Sequence, residues 1–247
     1  MSMAEYRMGA WDDSILHGQL ASSICEDADQ AWLRGYAHAS ACSPLAARGV
    51  WEAARLHVEA ARRAASIDPD EFESISFAAT AAAQLARAQG DDEGVLSVLE
   101  PVLPLAEWDG VREPGVIDWQ VLYAQALVNL RRLEKAEVVP GRYEGLADER
   151  GRRSAMAAAA RVRACLEAAR GAGARAGASF VASLAHLEGV RMPFESGLTD
   201  LGYGSFLRRA GKRSQALALL RSAHERSPSW GRDPFWSDVT GNSPPAV

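Results

Sequence analysis

One local frame returns six times along the chain. It is centred on Gly9, Gly49, Gly90, Arg131, Gly171 and Gly211, at intervals of 40, 41, 41, 40 and 40 residues. Seven residues before the turn stand Cys42, Ala83, Ala124, Ala164 and Gly204. Five after it stand Ser14, Ala54, Val95, Ala136, Ala176 and Ala216. All are small or short. Only such side chains let two helix axes approach to about 8–10 Å, so the frame reads as a helical hairpin with its crossing point on either side of the turn. Larger residues, Trp51, Leu56 and Val58 after one turn and Leu217, Leu219 and Leu220 after another, are expected to fill the flanks.

The segments between turns carry helix formers with apolar residues on a period near 3.6. They predict helices over 31–47, 50–66, 71–88, 117–130, 154–169 and 198–210. Breakers stand between them at Asp68-Pro69, Pro101 to Pro104, Pro114-Gly115, Pro140-Gly141 and Met192-Pro193. Strand signals are nearly absent. The expected fold class is all-α.

A period of about 40 lies between the roughly 34 residues of the tetratricopeptide unit and the longer HEAT and armadillo units. The Gly-x-Trp-x-x-Ala turn at Gly49, Trp51 and Ala54, with Cys42 seven positions back, resembles the tetratricopeptide pattern. The expectation is a right-handed α-solenoid of about six tetratricopeptide-like helix-turn-helix repeats. Residues 1–226 would form that domain, with the first repeat incomplete. Residues 227–247, rich in Pro, Gly and Ser and holding Trp230, Phe235 and Trp236, would be a tail, either a linker or, the preferred reading, an aromatic cap on the last repeat.

Charge is unevenly spread. Residues 1–110 hold 7 basic and 18 acidic side chains, a net of −11; residues 111–247 hold 20 and 14, a net of +6. Such asymmetry can favour head-to-tail contact between chains or separate acidic and basic partners, but it reads more readily as two differently solvated surfaces. Eight arginines between Arg142 and Arg175 read as a solvated helix face more readily than as a phosphate-binding patch, since aromatic residues for stacking on bases are few.

Chemistry-bearing clusters are sparse. His38 and Cys42 are four apart on one predicted helix, a spacing that can hold a metal, but no second ligand pair accompanies them. They read better as a surface histidine beside a core cysteine. Asp12-Asp13 and Asp91-Asp92-Glu93 stand at predicted helix starts, where carboxylates complement the helix dipole. No Gly-x-Ser-x-Gly elbow and no Gly-x-x-x-x-Gly-Lys-Ser/Thr loop is present. No enzymatic role and no cofactor is expected. Cys25, Cys42 and Cys165 are odd in number and far apart, which fits a reducing cytoplasm. The first residues, Met1 to Glu5, do not read as a secretory signal, and no apolar run is long enough to span a bilayer.

Two stretches resemble the helical-repeat region of large LuxR-type transcription regulators from actinobacteria. One runs from Met3-Ala4-Glu5-Tyr6-Arg7-Met8-Gly9-Ala10-Trp11 to Glu26-Asp27-Ala28-Asp29-Gln30. The other comprises Met192-Pro193-Phe194-Glu195, Leu201-Gly202, Phe206 to Arg213, Ala216-Leu217 and Leu220. The resemblance implies a non-catalytic sensor or interaction segment that takes a protein or small-molecule effector in a concave groove. DNA would be reached only through modules outside this chain. A free-standing adaptor is the alternative. By analogy with tetratricopeptide geometry, the groove-facing residues are Tyr36, Gln84, Arg87, Asp118, Gln125, Arg161 and Arg208. No membrane partner is expected, while self-association as a homodimer is.

Overall fold

The computed structural model describes residues 1–67, 72–104 and 114–226. Among these, every regular element is helical: α1 (Ser2–Arg7), α2 (Trp11–Asp27), α3 (Ala31–Ala47), α4 (Trp51–Ala65), α5 (Phe72–Ala88), α6 (Asp92–Leu99), α7 (Trp119–Asn129), α8 (Leu133–Glu149), α9 (Arg153–Ala169), α10 (Gly173–Leu187), α11 (Pro193–Arg209) and α12 (Arg213–Glu225), with a 3-10 turn Glu100–Val102 after α6. Asp68-Pro69 and the tail aromatics Trp230, Phe235 and Trp236 lie outside the described residues.

The recurring frame coincides with a recurring turn. Gly9, Gly49, Gly90, Arg131, Gly171 and Gly211 all have positive φ, between 60° and 80°. At Gly49 the amide of Val50 donates to the carbonyl of Leu45 (3.0 Å), and the Gly49 amide to that of Ala46 (3.0 Å). This paired closure satisfies two carbonyls that the helix end would otherwise leave unmade. The same two bonds close the turns at Gly90, Arg131, Gly171 and Gly211. The next helix starts two residues after the left-handed residue, so the hairpin angle is fixed locally.

The small residues meet at the crossings. Cys42, Ala83, Ala124 and Ala164, with Ser14, Ala54, Val95, Ala136, Ala176 and Ala216, are at most 2% exposed, and Gly204 is buried with them. A Cβ on Gly204 would lie 2.9 Å from the Leu220 side chain, and one on Gly18 would lie 2.8 Å from the Cα of Ala41. The flanking residues divide. Val58 is buried, whereas Leu56 and Leu217 face solvent. Both sit on second helices of hairpins, α4 and α12.

The chain forms two compact units. The first holds α2 to α6 with Met1–Tyr6. There α3 packs on α2 and α4 and also on α5, while α5 packs on α4 and α6. Its main apolar cluster joins Cys42, Leu45, Ala54, Val58, Ala81, Ala82 and Leu85. The second holds α7 to α12 with Arg7–Gly9. There α9 packs on α7, α8, α10 and α11, and α12 packs on α11.

Proline behaves differently from expectation at one predicted break. The 17-residue helix α8 continues through Pro140-Gly141; the helix-forming residues on either side outweigh one interrupted bond. Met192-Pro193 does mark a boundary, but as a helix start. Proline at the first turn forfeits no bond, so α11 begins five residues before the predicted 198. Pro44 lies inside α3. Having no amide hydrogen, it leaves the Ser40 carbonyl without its usual helical donor, and the Ser2 hydroxyl reaches that oxygen at 3.4 Å. Ser2 and Ser14 also exchange hydroxyl-to-carbonyl bonds at 2.8 Å in both directions. Asp91 caps α6 by accepting from the Gly94 amide at 2.8 Å, as its place at a helix start predicts.

Candidate binding faces on the first helices

In the first unit, α5 carries a polar stripe. Ser76, Thr80, Gln84 and Arg87 are spaced four, four and three apart, one face of a helix. Each presents a buried polar atom with no hydrogen-bond partner: the Ser76 and Thr80 hydroxyls, Gln84 Oε1 and Arg87 Nε. Buried polar atoms are overwhelmingly paired in folded proteins. Four orphans in register along one helix therefore stand out chemically: two hydroxyls, an amide oxygen and a guanidinium N–H suit a ligand with both donors and acceptors. Gln84 and Arg87 are two of the groove-facing residues predicted from register. Ser76 and Thr80 escape sequence reasoning because small hydroxyl residues in an Ala-rich helix carry no outward signal of their own. The third predicted residue of this unit, Tyr36 on α3, is partly exposed and meets Phe77 edge-on, ring centroids 4.9 Å apart.

A second polar group bridges three helices of the same unit. His38 on α3 and His57 on α4 bring their Nδ1 atoms to 2.9 Å, and His38 Nε2 meets Glu26 Oε1 of α2 at 3.2 Å. The carboxylate accepts, so His38 carries its hydrogen on Nε2, and its Nδ1 accepts from His57 Nδ1–H. Burial first, and then the neighbouring His38, pulls the His57 imidazole down to about 4; burial also lowers His38, with Glu26 opposing. His38 thus pairs with His57, not with Cys42. Cys42 is fully buried, its thiol pushed up to about 12 by desolvation and placed 3.5 Å from the Ala81 carbonyl. His57 is legible in principle: both histidines sit one turn outward from the small residues of the α3–α4 crossing.

In the second unit, the predicted residues separate into distinct environments. Arg161 on α9 forms an ion pair with Glu195 of α11 at 2.7 Å, both side chains largely shielded. Gln125 on α7 donates to Asn129 Oδ1 at 2.9 Å. Both adjoin Cys165 of α9. Burial raises that thiol, while Arg161, Arg209 and the Gln125 amide oppose the shift. Asp118, just before α7, is held by Arg7 Nη2 at 2.8 Å and by the Tyr143 hydroxyl at 3.2 Å; burial raises the Tyr143 phenol. Arg208 is exposed in the last turn of α11. Gln125 thus meets Cys165 one helical turn from Arg161, while Asp118 is held by Arg7 and Tyr143, whose phenol also feels Glu195.

Much of the arginine-rich stretch is engaged at close range. Arg163 pairs with Glu144, Arg170 with Glu137 at 2.8 Å, and Arg153 donates to the Ala185 carbonyl at 3.1 Å. Among the described residues no three His, Cys, Asp or Glu side chains gather as a metal site, and no helix is long and apolar enough to cross a membrane. Compared with protein-family profiles, with curated proteins and with solved structures, the chain matches none.

Proposed function

We propose that this chain is a non-catalytic binding domain, built as an α-solenoid of about six tetratricopeptide-like hairpins, whose first helices present the binding face. The observation that carries the binding role is the row of unpartnered buried polar atoms on α5. An unmade buried hydrogen bond costs about 1–3 kcal/mol, and a polar ligand entering at the half-buried Gln84 and Arg87 end of this row recovers part of that cost. The positive φ at all six frame positions, and the same pair of closing bonds at five of them, support the architecture. The resemblance to the repeat region of LuxR-type regulators suggests an effector-sensing role in a transcription regulator.

Two measurements test this. The triple variant Ser76→Ala, Thr80→Val, Gln84→Leu replaces orphaned polar atoms with apolar ones. In a thermal-shift screen over nucleotides, sugar phosphates, amino acids and short peptides, the native chain is expected to respond to a compound that the variant ignores. The variant alone should melt at the same temperature or higher. A companion variant lacking the Tyr36 and Arg87 side chains should lose binding with little change in melting; unchanged binding in both would rule this face out. Solution scattering tests the architecture. A compact 247-residue globule has a radius of gyration of about 18 Å, and a solenoid must exceed it clearly.

A further inference from the structure

The helix α2 has an apolar stripe that its own unit leaves uncovered. Leu16, Leu20 and Ile24 are 61%, 53% and 55% exposed. They stand at i, i+4 and i+8, so they share one face. Asp13 and Asp27 extend the same line, three residues before Leu16 and three after Ile24. The face is therefore apolar in the middle and acidic at each end, over about 21 Å at 1.5 Å per residue. Neither aspartate forms an ion pair among the described residues, whereas the neighbouring Asp12 is held by Arg48 at 2.5 Å.

The helix α12 shows the opposite pattern. Leu217 is 49% exposed, with Arg213 four residues before it and Arg221 four after, both exposed. Its face is basic, apolar, basic, over about 12 Å of axis. This spacing is shorter than that of the two carboxylates, so the long, flexible arginine side chains have to splay outward to meet both. The match follows the charge of the whole sequence, −11 over residues 1–110 and +6 over 111–247. Exposed contiguous apolar surface of this kind marks an interaction site.

We infer that the α2 face of one copy receives the α12 face of a second copy. Leu217 would pack among Leu16, Leu20 and Ile24, and Arg213 and Arg221 would meet Asp13 and Asp27 of the other chain. Because the two surfaces differ, the contact is heterologous. Association then adds copies head to tail and does not stop at a symmetric dimer unless the rotation closes a ring.

Sedimentation of the full chain from about 10 to 500 µM at low salt tests this. The average mass is expected to rise with concentration above the 26.5 kDa monomer and to fall back at high salt as the charges are screened. Leu20→Glu should hold the chain at monomer mass. The charge-reversed variants D13R/D27R and R213E/R221E should each be monomeric alone and associate when mixed, since each then offers the face that the other lacks. A native chain that stays monomeric throughout overturns the proposal. So does association that neither charge reversal nor Leu20→Glu weakens.

Discussion

His57 Nδ1 stands 2.9 Å from His38 Nδ1 across the α3–α4 hairpin, and the relay continues through His38 Nε2 to Glu26 on α2. Both rings are held neutral: a proton added to His38 Nδ1 puts a second hydrogen between two nitrogens that already share one, and a proton added to His57 Nε2 places a positive charge in a buried site. Arg34 and Arg63, also facing His38, disfavour a positive charge there, and Glu26 favours it.

The pH dependence follows from that geometry. In the unfolded chain both imidazoles titrate near 6.5; in the folded chain His57 titrates near 4 and His38 below its ordinary value. Below pH 6.5 the unfolded state binds more protons than the folded one, so stability falls as pH drops toward 4 and is fully present above about 7. Circular-dichroism melts should show the melting temperature declining between pH 7 and 4.5. His57→Phe, which cannot titrate, should flatten that decline. Equal slopes for the variant and the native chain would contradict the relay.

Close approach at Gly18 and Gly204 sets the tolerance of two helix pairs. Alanine at 18 must displace backbone, since its Cβ would lie 2.8 Å from Ala41 Cα; alanine at 204 meets mainly the Leu220 side chain, which can turn. Overpacking costs typically about 1–3 kcal/mol, against up to about 1 kcal/mol of helix propensity gained. Gly18→Ala should therefore destabilise by about 1–2 kcal/mol in urea melts, and Gly204→Ala by less. The reverse order would be incompatible with this packing of α2 on α3.

Arg131 occupies the left-handed position that glycine fills in the other five turns, at φ 60°. For a side-chain-bearing residue that conformation costs about 1–2 kcal/mol, part of which glycine returns as extra freedom in the unfolded chain. Arg131→Gly should raise stability by about 0.5–1 kcal/mol, read as a higher urea midpoint with unchanged slope. A drop in midpoint would mean that the Arg131 side chain contributes more than its backbone strain removes.

The Arg161–Glu195 pair links α9 to α11 in a shielded setting, and Arg161 Nη1 also lies 3.5 Å from the Thr199 hydroxyl. Removing one member of such a pair leaves a charge without its partner, at a cost of about 3 kcal/mol. Arg161→Ala should melt far earlier than Gln125→Ala, although register alone places both in the groove. Similar melting of the two variants would show the pair to be solvated.

Much of the helical order is legible because it rests on backbone rules. A glycine at the left-handed position and a small residue at each crossing report themselves by type and spacing, and the predicted helices at 31–47 and 154–169 fall within one residue of α3 and α9. Proline is the weak guide. Pro140, Pro193 and Pro44 stand inside, at the start of, and deep within helices, because the cost of one proline depends on its place in the turn and on which donor replaces its missing hydrogen. The functional faces are less legible. Register points Gln84 and Arg87 toward one side of α5, but whether a polar atom finds a partner depends on neighbouring helices, as the contrast between Gln84 Oε1 and the ion-paired Arg161 makes plain.

Each helix packs chiefly on those one or two places away along the chain, and each hairpin is closed by its own backbone bonds. Little chain entropy has to be spent bringing distant segments together before a pair gains from its contacts. Folding can begin at any hairpin and spread outward within each unit, quickly for a protein of this length. A newly made α2–α4 segment has every partner it needs, apart from α5, before the second half leaves the ribosome, which shortens the time during which its apolar surfaces are open to aggregation.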